Sequence, residues 1–193
     1  SLKVGLADDH EWMGGASMSQ NGVICNPNIP SEEVFTTPHA LRVEGHVSST
    51  KPLSHQGTLI DNIRVVFEKG SITEAKAGKG ETVLKKVLDS DEGARRLGEV
   101  ALVPNSSPIS RSGLLFYNTL FDENAACHIA LGQCYSKCFK GEKNLSTSEI
   151  NERGGNSSMI HIDWMIGSGE IDIDGFGNNV ETIPIIRKGE WDD

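Results

Sequence analysis

No run of apolar residues in this chain is long enough to cross a bilayer as a helix, so a membrane-spanning helix is excluded. No signal peptide is visible. Cysteine is sparse, with Cys25, Cys127, Cys134 and Cys138 the only four among 193 residues. That density cannot make a disulfide scaffold, and the expectation is a reducing, cytoplasmic compartment. A surplus of basic charge is missing too. Eighteen Lys and Arg face 27 Asp and Glu, for a formal net charge of -9, which argues against a general nucleic-acid binder. The acidity fits a site rich in carboxylates, although an acidic surface would give the same figure. Internal repeats and low-complexity segments are absent. So is an initiator Met: SLKVGLADDHEWMGG begins at once in structured-looking sequence, and the expectation is the C-terminal portion of a longer protein.

What is present has the composition of a soluble globular chain. Its 193 residues are most simply one domain, long enough to bury about 70% of its unfolded surface. RVEGHVSST (42–50) and TLIDNIRVVFEKGSITEAKA (58–77) are rich in β-branched residues, with a hairpin turn expected at Glu68-Lys69-Gly70-Ser71. Val83, Leu84, Val87 and Leu88 recur at helical spacing from Glu81 onward. Ser90, followed by Asp91 and Glu92, reads as the N-cap of a second short helix that Gly98 closes. EVALV (99–103) reads as a buried strand. NAACHIALG (124–132), apolar nearly all round, predicts a short buried helix or a buried turn of one. MIHIDWMIG, GEIDIDG and NNVETIPIIRKGEW are expected to pair as antiparallel strands near the C-terminus. The predicted class is α+β, a mixed, mainly antiparallel sheet with a few short helices.

MIHIDWMIG (159–167) carries the sharpest signal. Ile160, Ile162, Trp164 and Ile166 make an unbroken apolar face at a period of two. His161 and Asp163 then project together on the other face, which the flanking Met159 and Met165 predict to be partly covered. A covered imidazole and carboxylate side by side want a partner, and a divalent metal is a good one. Other ionisable residues stand in similarly apolar or punctuated surroundings: Glu32 and Glu33 in NIPSEEVFTTPH, Glu99 in RRLGEVALVP, Glu123 and His128 in TLFDENAACHIALGQCY. Each has an ordinary explanation alone. Together they would be costly to bury unpaired, and a pair of divalent cations would neutralise them jointly. Oxygen and nitrogen donors without thiolates suit Zn²⁺, Co²⁺, Mn²⁺ or Mg²⁺.

Two other metal readings compete. Cys127, His128, Cys134 and Cys138 could hold structural zinc, although paired C-x-x-C knuckles are missing and Tyr135 and Phe139 read as packing. Glu170, Asp172, Asp174, Gly175 and Glu181 follow the EF-hand loop spacing with Glu in first place. Helices should flank such a loop, yet both flanks alternate as strands, so EIDIDGFGNN reads as a strand and hairpin turn. These two readings define the non-enzymatic alternative, a calcium- or zinc-binding β module.

NIPSEEVFTTP, VSSTKPL, SDEGARRLGEVALVP, NTLFDENAACHIALGQCY and HIDWMIGS, in that order, resemble the aminopeptidase T family, which includes aminopeptidase S and PepS. The resemblance runs over nearly the whole chain. It implies a metallo-exopeptidase with two divalent ions, Zn²⁺ or Co²⁺ foremost, acting on peptides with a free N-terminus. It also implies a homodimer in the full-length protein and a separate N-terminal domain whose absence would lower activity. Carried over by motif, the metal ligands would be Glu33, Glu99, His128, His161 and Asp163, with Glu99 as the bridge. Glu33 is preferred to its neighbour Glu32 on family spacing. Glu123 would be the general base and Tyr135 a hydrogen-bond donor to the oxyanion. Trp12, Met13 and the WMGG turn are candidates for the mouth of the site.

Overall fold

The computed structural model describes residues 1–27, 30–141, 145–177 and 181–192. All strand pairings among these residues are antiparallel. A five-stranded sheet has the order His161–Met165, His128–Gly132, Leu97–Leu102, Val34–Thr36, Met13–Gly14. A four-stranded sheet runs Leu2–Leu6, Pro38–Ser48, Arg64–Glu68, Ser71–Lys76. Near the C-terminus, Ile173–Phe176, Thr182–Arg187 and Glu190–Trp191 make a third sheet. The helices are short, and Glu81–Leu88 is the longest at 8 residues. The class is the predicted one, α+β and mainly antiparallel. Among the described residues no helix is long and apolar enough to cross a membrane.

The main core lies between the two larger sheets. Val43, Val65 and Phe67 from one meet Leu97, Ile129, Leu131, Ile162 and Trp164 from the other, and the helix adds Leu84 and Leu88. Full burial of each such side chain stabilises by about 1.5–3 kcal/mol. The expected apolar face of MIHIDWMIG holds: Ile162 and Trp164 are buried, with Ile160 and Ile166 packed beside them. On the other face Met165 is covered, whereas Met159 is 81% exposed, so only one of the two methionines shields the polar pair. The expected hairpin at Glu68–Ser71 also forms. Lys69 and Gly70 both have positive φ, 49° and 81°, the signature of a tight I′ turn. Gly70 is required twice, because a Cβ there would meet Ala40 O at 1.9 Å.

Three local expectations differ from the structure. NAACHIALG does not form a helix; His128–Gly132 is an inner strand of the five-stranded sheet, preceded by the single turn Glu123–Ala125. Every residue of that strand is buried, and a strand covered on both faces shows no alternation to read. His161–Met165 pairs with this strand and not with the C-terminal strands. The turn around Ser90 also shifts by one residue. Asp91, not Ser90, caps the turn Glu92–Arg95, accepting from Ala94 N at 2.9 Å. Its carboxylate also accepts from Met159 N at 2.7 Å and from Ser158 Oγ. The Met159 amide foremost, with these other donors, outweighs burial and holds its pKa below the usual value.

Asp91→Ala should therefore cost about 1–2 kcal/mol at pH 7. Ser90 only donates to Lys86 O, at 3.3 Å, and Ser90→Ala should cost a few tenths. A carboxyl with a lowered folded pKa stabilises above its unfolded pKa of about 4 and loses that contribution as pH falls through the folded value. Urea unfolding should show the wild-type advantage over Asp91→Ala intact at pH 7 and shrinking below pH ~4. An equal gap at pH 7 and pH 2.5 would contradict this account.

Candidate metal centre

The face of the five-stranded sheet turned away from the main core collects the ionisable residues. Cross-strand register explains the grouping. Glu99, Ala130 and Asp163 lie in one row across three strands, and the small Ala130 leaves room between the two carboxylates. His128 stands opposite Ala101, and His161 opposite Gly132. Glu33 immediately precedes the Val34–Thr36 strand.

Glu99 reaches this face only because its strand is irregular. Leu97 belongs to the main core, and residues two apart on a regular strand share a face. The register shifts between Leu97 and Glu99, and this bulge turns Glu99 to the opposite side. Gly98, expected as a helix stop, is the bulge residue. A Cβ on it would meet Gln133 O at 2.3 Å and Gly132 O at 2.5 Å.

Ligand-type atoms fall into two overlapping groups, Glu33 with Glu99 and His128, and Glu99 with His161 and Asp163, each within 4.8 Å. Glu99 is common to both. Glu32 is exposed, and its backbone N–H donates to Asn124 Oδ1 at 2.8 Å, so this loop turns Glu33 and not Glu32 toward the imidazole. His128 Nδ1 donates to Ala126 O at 3.1 Å and His161 Nδ1 to Gln133 O at 2.7 Å. A carbonyl can only accept, so each ring carries its proton at Nδ1 and turns Nε2 inward. His128 Nε2 lies 3.0 Å from Glu33 Oε2. His161 Nε2 lies 3.2 Å from Glu99 Oε2 and 3.4 Å from Asp163 Oδ1. Neither of the last two contacts has hydrogen-bond alignment, and His161 Nε2 and Asp163 Oδ1 are buried without a partner. A nitrogen lone pair facing carboxylate oxygens is repulsive until a cation enters, either a proton or a metal ion. The donor set and its orphaned atoms therefore fit divalent ions.

The proton affinities say the same. Burial pulls His128 down, but its hydrogen bond to Glu33 and the surrounding carboxylates push it up to about 10. His161 is likewise lowered by burial, yet Asp163 and Glu99 raise it to about 11. Burial foremost, with Asp163 adding to it, raises Glu99. Glu123 is pushed up to about 8, again by burial first and then by Asp163. Glu123 follows the short helix Thr119–Asp122 and lines a cavity of about 370 Å³, together with all five proposed ligands and Tyr135. The Tyr135 ring lies 4.6 Å from the His161 ring and 5.8 Å from Phe35. Burial raises its hydroxyl above the usual phenol range, and Glu99 adds to the effect.

The family model described as thermophilic metalloprotease (M29) matches residues 1–191. The chain belongs to this family. It is 54% identical over 190 residues to aminopeptidase T of Thermus aquaticus, covering 98% of this chain and 46% of that protein. Aminopeptidase AmpS of Bacillus subtilis is 48% identical, with the same coverage. The solved structure of wild-type AmpT from Thermus thermophilus superposes with a TM-score of 0.93 at 53% identity, over 98% of this chain and 47% of that one. This M29 chain thus spans about half the length of the relatives it matches. A divalent metal belongs to the chemistry of a metalloprotease family.

The rival metal readings find no support among the described residues. Cys127, Cys134 and Cys138 sit in three different packing clusters. Burial pushes the Cys134 and Cys138 thiols up to about 11 and 12, which disfavours the thiolates zinc requires. Asp172 accepts from Lys188 N at 2.8 Å and Asp174 pairs with Arg187, so both serve their own hairpin. Ile173–Phe176 is a strand, as expected; the expected turn at Asn178 and Asn179 lies outside the described residues. Of the WMGG turn, Gly14 and Gly15 line the cavity while Trp12 and Met13 do not. Sequence reasoning missed His55, Thr119, Leu120 and Lys137 in the lining; Thr119 and Leu120 open the run that holds Glu123, but neither side chain is a metal-ligand type. It also missed Asn124, whose amide ties the Glu32 backbone to Leu120 O beside Glu123.

Proposed function

We propose that this chain carries a dinuclear metal centre that releases N-terminal residues from peptides with a free amino terminus. The observation that carries the reading is Glu99, shared by two groups of ligand atoms. Glu33 and His128 would complete one ion's set, and His161 and Asp163 the other's, with Zn²⁺ or Co²⁺ favoured over Mn²⁺ and Mg²⁺. Bound there, such a pair supplies Lewis-acid polarisation of the scissile carbonyl and a water of lowered pKa.

The chain's own residues supply the rest. Glu123, which lines the cavity with the five ligand residues, takes the proton of the attacking water and passes it to the leaving amine. The Tyr135 hydroxyl, kept protonated by burial, donates to the developing oxyanion, a role of order 3 kcal/mol for a well-placed donor. The substrate's free α-amino group would anchor on the metal pair or on a carboxylate beside it, which accounts for exopeptidase action. We place the protein in a reducing, cytoplasmic setting, in keeping with its four free thiols, and as a homodimer in its full length.

Metal content and release of the N-terminal residue from a chromogenic amino-acyl substrate, measured on one sample, test the proposal. Two ions per chain with turnover are expected. Glu123→Gln should keep both ions and lower kcat by ~100-fold or more. Unchanged turnover in that variant would remove Glu123 from the chemistry, and metal-replete protein without any turnover would remove the activity.

A further inference from the structure

Lys137 brings the only fixed positive charge among the described residues that line the cavity, alongside Glu33, Glu99, Glu123 and Asp163. It forms no ion pair with any of them. Its ammonium lies 4.7 Å from the centre of the Phe35 ring and 5.2 Å from that of Tyr135. Both rings line the same cavity. Lys137 stands in the single turn Ser136–Cys138, where the neighbouring Cys138 is fully buried and the lysine is exposed. Aromatic faces orient an ammonium without neutralising it. The charge is therefore positioned and still available to an anion.

We propose that Lys137 receives the C-terminal carboxylate of a short peptide, making it a specificity-determining residue that favours di- and tripeptides. This inference rests on the aminopeptidase reading. A free peptide carries an ammonium at one end and a carboxylate at the other. The proposed centre holds the first, and Lys137 offers the second a positive charge that no carboxylate already neutralises. Two ring contacts in series, His161 to Tyr135 and Tyr135 to Lys137, put the ammonium within about 10 Å of the His161 ring, the reach of two to three extended residues at ~3.3–3.6 Å each. Longer peptides carry their carboxylate past this point. A lysine suits the task as a mobile point charge that follows termini of slightly different reach.

The test compares Leu-Gly with its amide, Leu-Gly-NH2, on the metal-loaded protein. Wild type should show a KM about ten-fold lower for the free acid, with the difference shrinking as salt is raised. In Lys137→Gln the ratio of the two KM values should fall to about one, and Lys137→Arg should retain most of it. A role confined to packing on Phe35 and Tyr135 would not alter this ratio. The same ratio in wild type and Lys137→Gln, or no preference in wild type, overturns the proposal. Absence of turnover on both substrates with metal bound counts against the aminopeptidase reading instead. Calorimetry then decides the lysine's role, using a Leu-Gly analogue with a reduced peptide bond and the amide of that analogue. Tighter binding of the acid in wild type, lost in Lys137→Gln, supports the proposal, and equal binding of the two ligands overturns it.

Discussion

Glu99→Ala should leave the protein folded but unable to retain either divalent ion, with peptide turnover reduced by at least ~100-fold. Residues that merely orient a metal ligand already cost 10–100-fold when changed, and Glu99 lies in both groups of ligand atoms. Glu33→Ala and Asp163→Ala each remove a member of one group and should leave about one ion per chain. In the metal-free state the buried Glu99 carboxyl, raised above its ordinary pKa by burial foremost, also faces the His161 imidazole. Its loss removes a desolvated acid and the partner of a buried ring together, and the fold should survive the exchange. Elemental analysis of dialysed protein and a melting curve in chelator measure the two halves of this claim. Full retention of two ions by Glu99→Ala would end the case for a shared ligand.

Gly98→Ala should have an effect out of proportion to one methyl group. The added Cβ meets two backbone oxygens, Gln133 O and Gly132 O, and neither can swing away as a flexible side chain would. Gln133 O is also the acceptor that holds His161 Nδ1 at 2.7 Å, and Gly132 stands opposite His161 in the sheet. A shift there disturbs the aim of Glu99 and the tilt of His161 together. The expected cost is about 1–3 kcal/mol of stability, with weakened metal retention and loss of turnover. Gly177 is the control, because a Cβ there would meet nothing within 4 Å. If thermal melting and metal content cannot distinguish Gly98→Ala from Gly177→Ala, the bulge does not aim the carboxylate.

The candidate site was legible in the sequence where polar residues interrupt an apolar alternation. His161 and Asp163 stand at i and i+2 against Ile160, Ile162, Trp164 and Ile166, and a strand puts them on one face. The capping turn was legible to within one residue, because Ser90 and Asp91 are both good caps and composition does not choose between them. The strand His128–Gly132 was not legible as a strand. It is buried on both faces, and an apolar run without alternation also describes a buried helix.

By itself, then, the sequence determined the α+β class, the strand that carries His161 and Asp163, and the residue types able to bind a divalent ion. These follow from the two-residue repeat and from side-chain chemistry, both local properties. Only the tertiary structure decided that the face of Glu99 is reversed by a bulge at Gly98, how the loop aims Glu33 at His128, and that Lys137 shares the cavity with four carboxylates. Each depends on a contact between segments distant in the chain: Gly98 against Gln133 O, Glu32 N–H on Asn124, Lys137 over Phe35. Strand register and loop docking bring such segments together by minimising unpaired backbone groups over the whole sheet, a balance that no single stretch of sequence contains.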